Sequence, residues 1–237
     1  MAPKLSTTRR GLLRSTVAGS ALLGLSACDR LSQSHESWLD HAETLNRWLQ
    51  RQIMPRNALA REYPPEAISR DFRANGTTDP DNIEYRRLAT SGFADWRLQV
   101  DGLVEQPVRL SLADVRALPS RTQITRHDCV EGWSCIGKWQ GVRMMSLLQI
   151  VRPRRAARYL VFHCADTLEQ TLDDSGRYYE SIDLIDAAHP QTILAYAMND
   201  APLPVSHGAP LRLRLERQLG YKMAKYIMRI EFVDSFT

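Results

Sequence analysis

Cys129 is the residue with the most informative chemistry. It follows a predicted strand and stands among charged and aromatic neighbours in the run Arg126-His127-Asp128-Cys129-Val130-Glu131-Gly132-Trp133-Ser134. Thiolate sulfur is a ligand that soft transition metals accept readily. One cysteine cannot enclose a metal alone, but it can ligate a metal that arrives bound to an organic cofactor. We therefore take Cys129 as the candidate metal ligand and catalytic residue.

The other cysteines leave two alternatives open. If Cys28 is removed with the signal or carries a lipid, three cysteines remain for other roles. An odd number of cysteines in an exported protein leaves at least one that is a free thiol or a metal ligand. A disulfide between Cys135 and Cys164 is one arrangement. A zinc site is another, although no C-x-x-C spacing supports it; its ligands would be Cys129, Cys135, His163 and Cys164.

Residues 1–28 predict an export signal. The adjacent pair Arg9-Arg10 precedes 14 uncharged residues from Ser15 to Cys28, fewer than the ~20 that a membrane-spanning helix needs. Paired arginines are typical of the twin-arginine route, which carries folded proteins, often with a cofactor inserted. The run Leu25-Ser26-Ala27-Cys28 is similar to a lipoprotein box, and plain cleavage after Ala27 is the alternative. We expect a periplasmic protein, either free or lipid-anchored through Cys28.

Composition bounds the remaining chain to one globular domain. Of 237 residues, 43% are hydrophobic and 24% are charged, which excludes a disordered chain. The formal net charge is +4, and four unpaired cations lie in the signal: Lys4, Arg9, Arg10 and Arg14. The charge therefore gives no reason to expect nucleic acid as a partner.

Two segments follow the signal. Residues 29–69 are expected to form an N-terminal segment. An amphipathic helix is predicted over 34–54, because Trp38, Ala42, Leu45 and Trp48 recur at three- and four-residue steps. Prolines and glycine make the stretch from 54 to 80 mostly loop. Residues 70–237 are expected to form the main globular domain.

Short strands and few helices are predicted from Trp96 onward, which indicates the α+β class with mixed short-strand sheets. The predicted strands cover 98–103, 108–110, 122–126, 159–162, 211–215 and 227–232, and the predicted helices cover 112–118, 144–151 and 182–188. The stretch from Thr192 to Met198 fits either type. In the strand over 211–215, alternation predicts one apolar and one charged face.

Three motifs in order resemble the sulfite-oxidase-type molybdopterin-dependent oxidoreductases, and among these the bacterial molybdenum subunits of periplasmic methionine sulfoxide reductases. Cys129-Val130-Glu131-Gly132-Trp133-Ser134 is similar to their C-V-E-x-W-S run, and Gly137 to Val142 continues the likeness. Gly208-Ala209-Pro210-Leu211-Arg212 is similar to G-A-P-x-R, and Gly220 to Lys225 is similar to the segment that follows. Phe72 to Gly76 is a looser match to an early cofactor-contacting loop.

The resemblance implies a Mo-molybdopterin cofactor with Cys129 as molybdenum ligand. It further implies a set of cofactor contacts: Asn75, Cys164, His207, Arg212, Met223, Ala224 and Lys225. Arg212 would bind the pterin phosphate, for which a planar guanidinium is suited. Without the motif, Arg212 and Arg214 would read as a solvated strand face. Tyr178 and Tyr179 either line the substrate mouth or pack in the core.

The function expected from the resemblance is oxygen-atom transfer, with reduction of a small-molecule or protein-bound S-oxide or N-oxide. No haem-attachment motif appears, so we expect electrons to be exchanged with a separate membrane haem protein or small cytochrome. We also expect a monomer. Sulfite oxidation is the alternative reaction, although Arg73 is shifted from the arginine that sulfite-oxidising members use. A non-catalytic, zinc- or disulfide-stabilised binding module is the alternative of another class.

Overall fold

The computed structural model describes residues 57–167 and 176–235, together with isolated positions between 41 and 55. Two compact units divide the chain at Pro55 and Arg56. The predicted export signal lies outside the described residues. The described positions between 41 and 52 are helical, and the rest of the helix predicted over 34–54 lies outside the described residues. Among the described residues, no helix is long and apolar enough to cross a membrane.

Strands and short helices make up the second unit. The described strands are β1 (Arg97–Gly102), β2 (Val108–Ser111), β3 (Ser120–Asp128), β4 (Ser134–Arg143), β5 (Tyr159–Thr167), β6 (Arg177–Asp183), β7 (Ile193–Met198), β8 (Ala201–Pro202), β9 (Arg212–Arg214) and β10 (Ile227–Val233). The α-helices are α1 (Ile83–Thr90), α2 (Leu112–Ala117), α3 (Met144–Val151) and α4 (Leu184–Ala187). Single 3-10 turns cover Pro65–Ala67, Val205–His207 and Gly220–Lys222.

The strands form two five-stranded sheets. The first has the order β2-β1-β10-β5-β6, in which β1 and β10 are parallel and the other neighbours antiparallel. The second has the order β3-β4-β7-β8, and β9 also pairs with β7. This mixed arrangement with few helices confirms the predicted α+β class.

Local sequence explains several of these elements. In β1, Leu98 and Val100 are buried while Arg97 and Gln99 are exposed, which is the period of a strand with one covered face. A capping box begins α2, where the Ser111 side chain accepts from the backbone N–H of Asp114 and the Asp114 carboxylate accepts from that of Ser111. Helix α3 has the predicted bounds, and its buried face joins the main core with residues of both sheets.

One prediction differs from the structure, and the structure decides two alternatives that the sequence left open. The helix predicted from Ile182 begins at Leu184, because β6 continues to Asp183 and that carboxylate caps α4. The ambiguous stretch from Thr192 is the strand β7, buried between neighbours on both edges. The charged face of β9 is not solvated, because Arg212 and Arg214 are 1% and 0% exposed.

Residues 57–69 lie against the main domain, ahead of the boundary predicted at 70. The backbone N–H of Tyr63 donates to Ile124 O at 2.9 Å, and that of Ser69 donates to Ile136 O at 2.9 Å. The backbone N–H of Ala60 donates to the side-chain oxygen of Gln191, and the side-chain amide of Gln191 donates to the Ala60 carbonyl. These bonds extend β3 and β4 with an irregular outer segment, so the second compact unit begins at Arg56. The predicted loop character of this stretch is confirmed apart from the turn Pro65–Ala67.

Candidate functional site

Cys129 lies in the tight loop that joins β3 to β4. The two strands pair as far as Asp128 and Ser134, and the loop closes with hydrogen bonds from Cys129 N to Trp133 O and from Gly132 N to Cys129 O. Gly132 has a φ of +86°, a left-handed conformation that favours glycine. This loop leaves Cys129 9% exposed at the end of the hairpin, where its sulfur can reach a bound group.

The early loop around Asn75 is tied to the segment that contains Lys225. The Lys225 ammonium donates to the backbone carbonyls of Asn75 at 2.6 Å and of Thr77, and the Tyr226 hydroxyl donates to Thr77 O at 2.8 Å. His207 Nε2 lies 3.0 Å from Phe72 O. The structure therefore joins three motifs that are far apart in the sequence.

A cavity of about 380 Å³ opens beside these motifs. Its described lining residues are Asn75, Gly76, Thr77, Cys129, Val130, Glu131, Asp166, Thr167, Tyr178, Gly220, Tyr221, Met223 and Lys225. Four of the eight predicted site residues are thus on one wall: Asn75, Cys129, Met223 and Lys225. The other four lie outside the lining: Cys164, His207, Arg212 and Ala224. Of the two candidate mouth tyrosines, Tyr178 lines the cavity and Tyr179 does not.

Two buried cations interact here, and one of them, Lys225, lines the cavity. Arg212 is 1% exposed; its Nη1 donates to His207 O at 3.0 Å, while its Nε and Nη2 have no hydrogen-bond partner among the described residues. Burial, with Arg214 adding to it, lowers the pKa of Arg212 to about 9. Burial, with Arg212 adding to it, lowers the pKa of Lys225 to about 8. Two cations this poorly compensated favour an anionic group.

Gly208 permits the approach of these two side chains. It has a φ of +106°, and a Cβ at this position would lie 2.8 Å from Lys225 Cβ and 3.2 Å from Arg212 Cβ. A side chain here would therefore displace both cations. The close packing of Lys225 and Arg212 therefore requires glycine at this position of the G-A-P-x-R motif.

A neutral histidine lies beneath the cavity wall. His127 is fully buried, and its Nδ1 accepts from Arg214 Nη1 at 3.0 Å, so the proton of the neutral ring is on Nε2. Burial and then the charge of Arg214 lower its pKa to about 2. Gly220 packs on this ring, since a Cβ at Gly220 would lie 2.4 Å from His127 Cε1. These contacts make His127 a hydrogen-bonded structural residue.

The alternative arrangements of the cysteines are not formed. Cys129, Cys135 and Cys164 are free thiols, so no Cys135–Cys164 disulfide is present. Within the described part of the chain, no three His, Cys, Asp or Glu side chains are grouped to hold a metal ion. Cys164 is 2% exposed, and burial raises the pKa of its thiol well above the ordinary value. Its sulfur lies 3.7 Å from Phe162 O, as expected of a small buried side chain.

Sequence reasoning missed part of the cavity wall. Asp166 and Thr167 were not predicted because they continue β5 past the hydrophobic run, where the pairing with β6 shifts register. A signal was available: Asp166 stands two residues beyond Cys164, on a strand that delivers a predicted site residue. Thr77 and Gly76 were also missed, although they adjoin Asn75.

Comparison with known proteins identifies the family. A family model described as "Oxidoreductase molybdopterin binding domain" matches residues 87–236. The chain belongs to this family. Its molybdopterin-binding domain confirms the predicted oxidoreductase chemistry and the Mo-molybdopterin cofactor, and it sets aside the non-catalytic binding module.

Individual relatives agree with this assignment. A protein of Azospira oryzae, provisionally named protein-methionine-sulfoxide reductase subunit YedZ1, is 37% identical over 98% of this chain and 83% of its own length. The protein-methionine-sulfoxide reductase catalytic subunits MsrP of Campylobacter jejuni and Ralstonia nicotianae are 32% and 34% identical over 58% and 69% of this chain. The chain spans about half the length of these catalytic subunits, 49% and 51%.

A solved structure shares the fold of the molybdopterin-binding domain. The sulfane dehydrogenase SoxCD from Paracoccus pantotrophus superimposes with a TM-score of 0.53 at 21% identity, covering 60% of this chain and 39% of that one. At this identity the likeness concerns the fold alone. It supports the sulfite-oxidase-type architecture that the motifs predict.

The cavity and its surroundings fit the phosphate-bearing cofactor of this family. A single thiol is at the end of a hairpin on the cavity wall, and the unpartnered guanidinium nitrogens of Arg212 could be satisfied by phosphate oxygens. Lys225 adds a second cation that has no carboxylate partner among the described residues. The site therefore combines one soft metal ligand with an anion-binding region.

Proposed function

We propose that this protein reduces S-oxides by oxygen-atom transfer at a molybdenum–molybdopterin cofactor. The observation that carries the proposal is the placement of Cys129 on the wall of a cavity that is also lined by Lys225, whose charge interacts with that of the buried Arg212. The cofactor supplies the two-electron chemistry at molybdenum, and the protein supplies the metal ligand, the anion clamp and the shape of the cavity. The names of the relatives favour methionine sulfoxide, free or protein-bound, as substrate.

The cofactor contacts are assigned to the residues that the motifs predict. Cys129 would ligate molybdenum, while Arg212 and Lys225 would bind the phosphate. Asn75 and Met223 line the cavity beside them. His207 is placed to hold Arg212, since its backbone oxygen accepts from that guanidinium. Cys164 and Ala224 are buried outside the cavity lining, next in sequence or two residues away from lining residues, and would support the pterin site from within the core.

An exported monomer with a separate electron partner completes the proposal. The twin-arginine motif would carry the folded, cofactor-loaded protein to the periplasm, where Cys28 could receive a lipid. The relatives named catalytic subunits are by that name parts of larger assemblies. We infer that a membrane haem protein or small cytochrome delivers the electrons.

Metal analysis and a substrate panel test the proposal. The full chain would be expressed in a host that makes the cofactor, and molybdenum per chain would be measured by mass spectrometry. Activity would be assayed with methionine sulfoxide, oxidised protein and N-oxides under a reduced artificial donor, and with sulfite under an artificial acceptor. About one molybdenum per chain with S-oxide turnover supports the proposal. Turnover of sulfite alone would replace it by sulfite oxidation, and a protein loaded with zinc would refute it.

A further inference from the structure

A buried carboxyl on the cavity wall is not among the proposed cofactor contacts. Asp166 is 7% exposed and lies near the end of β5, within the stretch from His163 to Thr167 where the pairing with β6 shifts register. It lines the cavity together with Cys129, and its Oδ1 has no hydrogen-bond partner among the described residues. Burying a carboxyl oxygen without a hydrogen-bond partner costs free energy of folding, so a functional role is expected for this side chain.

The groups that face Asp166 do not neutralise it fully. The cation whose charge acts on Asp166 is Lys225, but its ammonium donates to the backbone carbonyls of Asn75 and Thr77. Burial raises the pKa of Asp166, and the opposing influences are a hydrogen bond from Thr77 and the charge of Lys225. The remaining titratable neighbours are Tyr85, Cys164, Tyr178, Glu180 and Tyr226.

S-oxide reduction consumes protons inside this cavity. The sulfur–oxygen bond breaks, two electrons from the separate donor enter, and the oxygen leaves with two protons as water: R₂SO + 2e⁻ + 2H⁺ → R₂S + H₂O. Two carboxyls are on the described wall, and they differ in environment. Glu131 is 47% exposed and accepts from Trp133 Nε1, whereas Asp166 is enclosed. The enclosed group can hold a proton for the reacting oxygen without exchanging it freely with solvent.

We propose that Asp166 is a catalytic residue that donates one proton to the oxygen of the substrate as the sulfur–oxygen bond breaks, and that solvent supplies the second proton of the water formed and reprotonates Asp166 between turnovers. This inference rests on the proposed S-oxide reduction. It adds a named proton donor to a site whose other assigned residues bind the metal or the phosphate.

The test compares Asp166→Asn with wild-type holoenzyme. The amide keeps the shape of the side chain and cannot donate the proton in the same way, so kcat for an S-oxide should fall by roughly 10²- to 10⁴-fold with little change in KM. The alkaline decline of kcat in wild type should disappear, and Asp166→Glu should recover part of the rate. Asp200→Asn, at an exposed ion pair with Lys138, is the matched control and should keep full activity.

Infrared spectroscopy gives a readout that does not depend on turnover. Wild type at neutral pH should show the carbonyl stretch of a protonated carboxyl, which Asp166→Asn loses and Asp200→Asn keeps. Thermal unfolding should show Asp166→Asn about as stable as wild type, because the protonated carboxyl and the amide are both uncharged. A missing carboxyl band would overturn the inference.

Three further outcomes separate the inference from the proposed function. A wild-type enzyme that reduces S-oxides while fully loaded Asp166→Asn keeps its kcat and pH profile overturns the inference alone. Loss of molybdenum in Asp166→Asn also overturns it and assigns the residue to cofactor binding. A wild-type enzyme that reduces no S-oxide overturns the proposed function and this inference together.

Discussion

Arg214 and Glu216 form a doubly hydrogen-bonded ion pair whose side chains are both 0% exposed. Arg214 Nε donates to Glu216 Oε1 at 2.9 Å and Nη2 donates to Oε2 at 2.8 Å, while Nη1 is left to donate to His127. The guanidinium carbon lies 4.2 Å from the centre of the Trp139 ring. One buried ion pair thus fixes the histidine that underlies the cavity, two residues from Cys129.

Arg214→Met should be strongly destabilising, because it leaves the Glu216 carboxylate buried without its partner. A loss of about 3–5 kcal/mol in the free energy of unfolding is expected. Urea denaturation would measure it. Arg214→Met with Glu216→Leu should lose less than the two single variants combined, and Arg109→Gln on the exposed face of β2 should change the value by less than about 0.5 kcal/mol. A loss below 1 kcal/mol in Arg214→Met would contradict this account.

Cys129→Ser should abolish molybdenum binding while the fold is retained. The hydroxyl is a harder and weaker ligand than thiolate, and the side chain lies at a cavity wall, so its replacement leaves core packing intact. Molybdenum per chain and the unfolding midpoint of the metal-free protein would be measured in parallel. Cys135→Ser is the matched control and should keep its molybdenum. Equal molybdenum in both variants would show that Cys129 is not the ligand.

The motifs named residues that the structure brings to one cavity, whereas the alternation patterns described the surrounding fold less well. Cys129 and Lys225 meet at one cavity, as their motifs imply, because each motif ends a strand or turn that the sheet topology gathers. The burial of Arg214 was not predictable from alternating leucines and arginines, since that pattern equally describes a solvated edge. Its partners come from distant strands: His127 from β3 and Trp139 from β4.

An irregular strand pairing explains why Asp166 was not predicted, and two glycines explain why the strand β4 was not predicted. Asp166 reaches the cavity only because β5 shifts register against β6 between His163 and Thr167, and a local sequence pattern carries no record of such a shift. The strand β4 was missed because two glycines interrupt its apolar pattern, Gly137 and Gly141. Phe72 packs where a side chain at Gly137 would lie. Gly141 meets the backbone of Leu194, which is a tertiary reason for glycine.

Gly220→Ala should destabilise the protein through a clash with His127. The added methyl would lie 2.4 Å from His127 Cε1, and the ring cannot move because Arg214 holds its other side. A cost of about 1–3 kcal/mol is expected. In the His127→Ala background the same substitution should cost clearly less, and a double-mutant cycle by urea denaturation measures the difference. Additive effects would show that Gly220 does not pack on His127.

The buried charge of Lys225 should make the stability of the cofactor-free protein depend on pH in a defined window. Its pKa is about 8 in the folded protein and near the ordinary 10.5 when unfolded. Between these values the unfolded chain holds the proton and the folded protein does not, so stability rises as pH increases from about 8 to 10.5. Lys225→Met removes this contribution, and other groups cancel when the two proteins are compared. The difference in unfolding free energy, wild type minus variant, should therefore increase across that window and stay constant below it.

Inorganic phosphate gives an independent check, since it should raise the unfolding temperature of wild type more at pH 7 than at pH 9, where Lys225 is neutral. A difference that stays flat from pH 7 to 10.5 would show that Lys225 does not carry an uncompensated charge at this cavity.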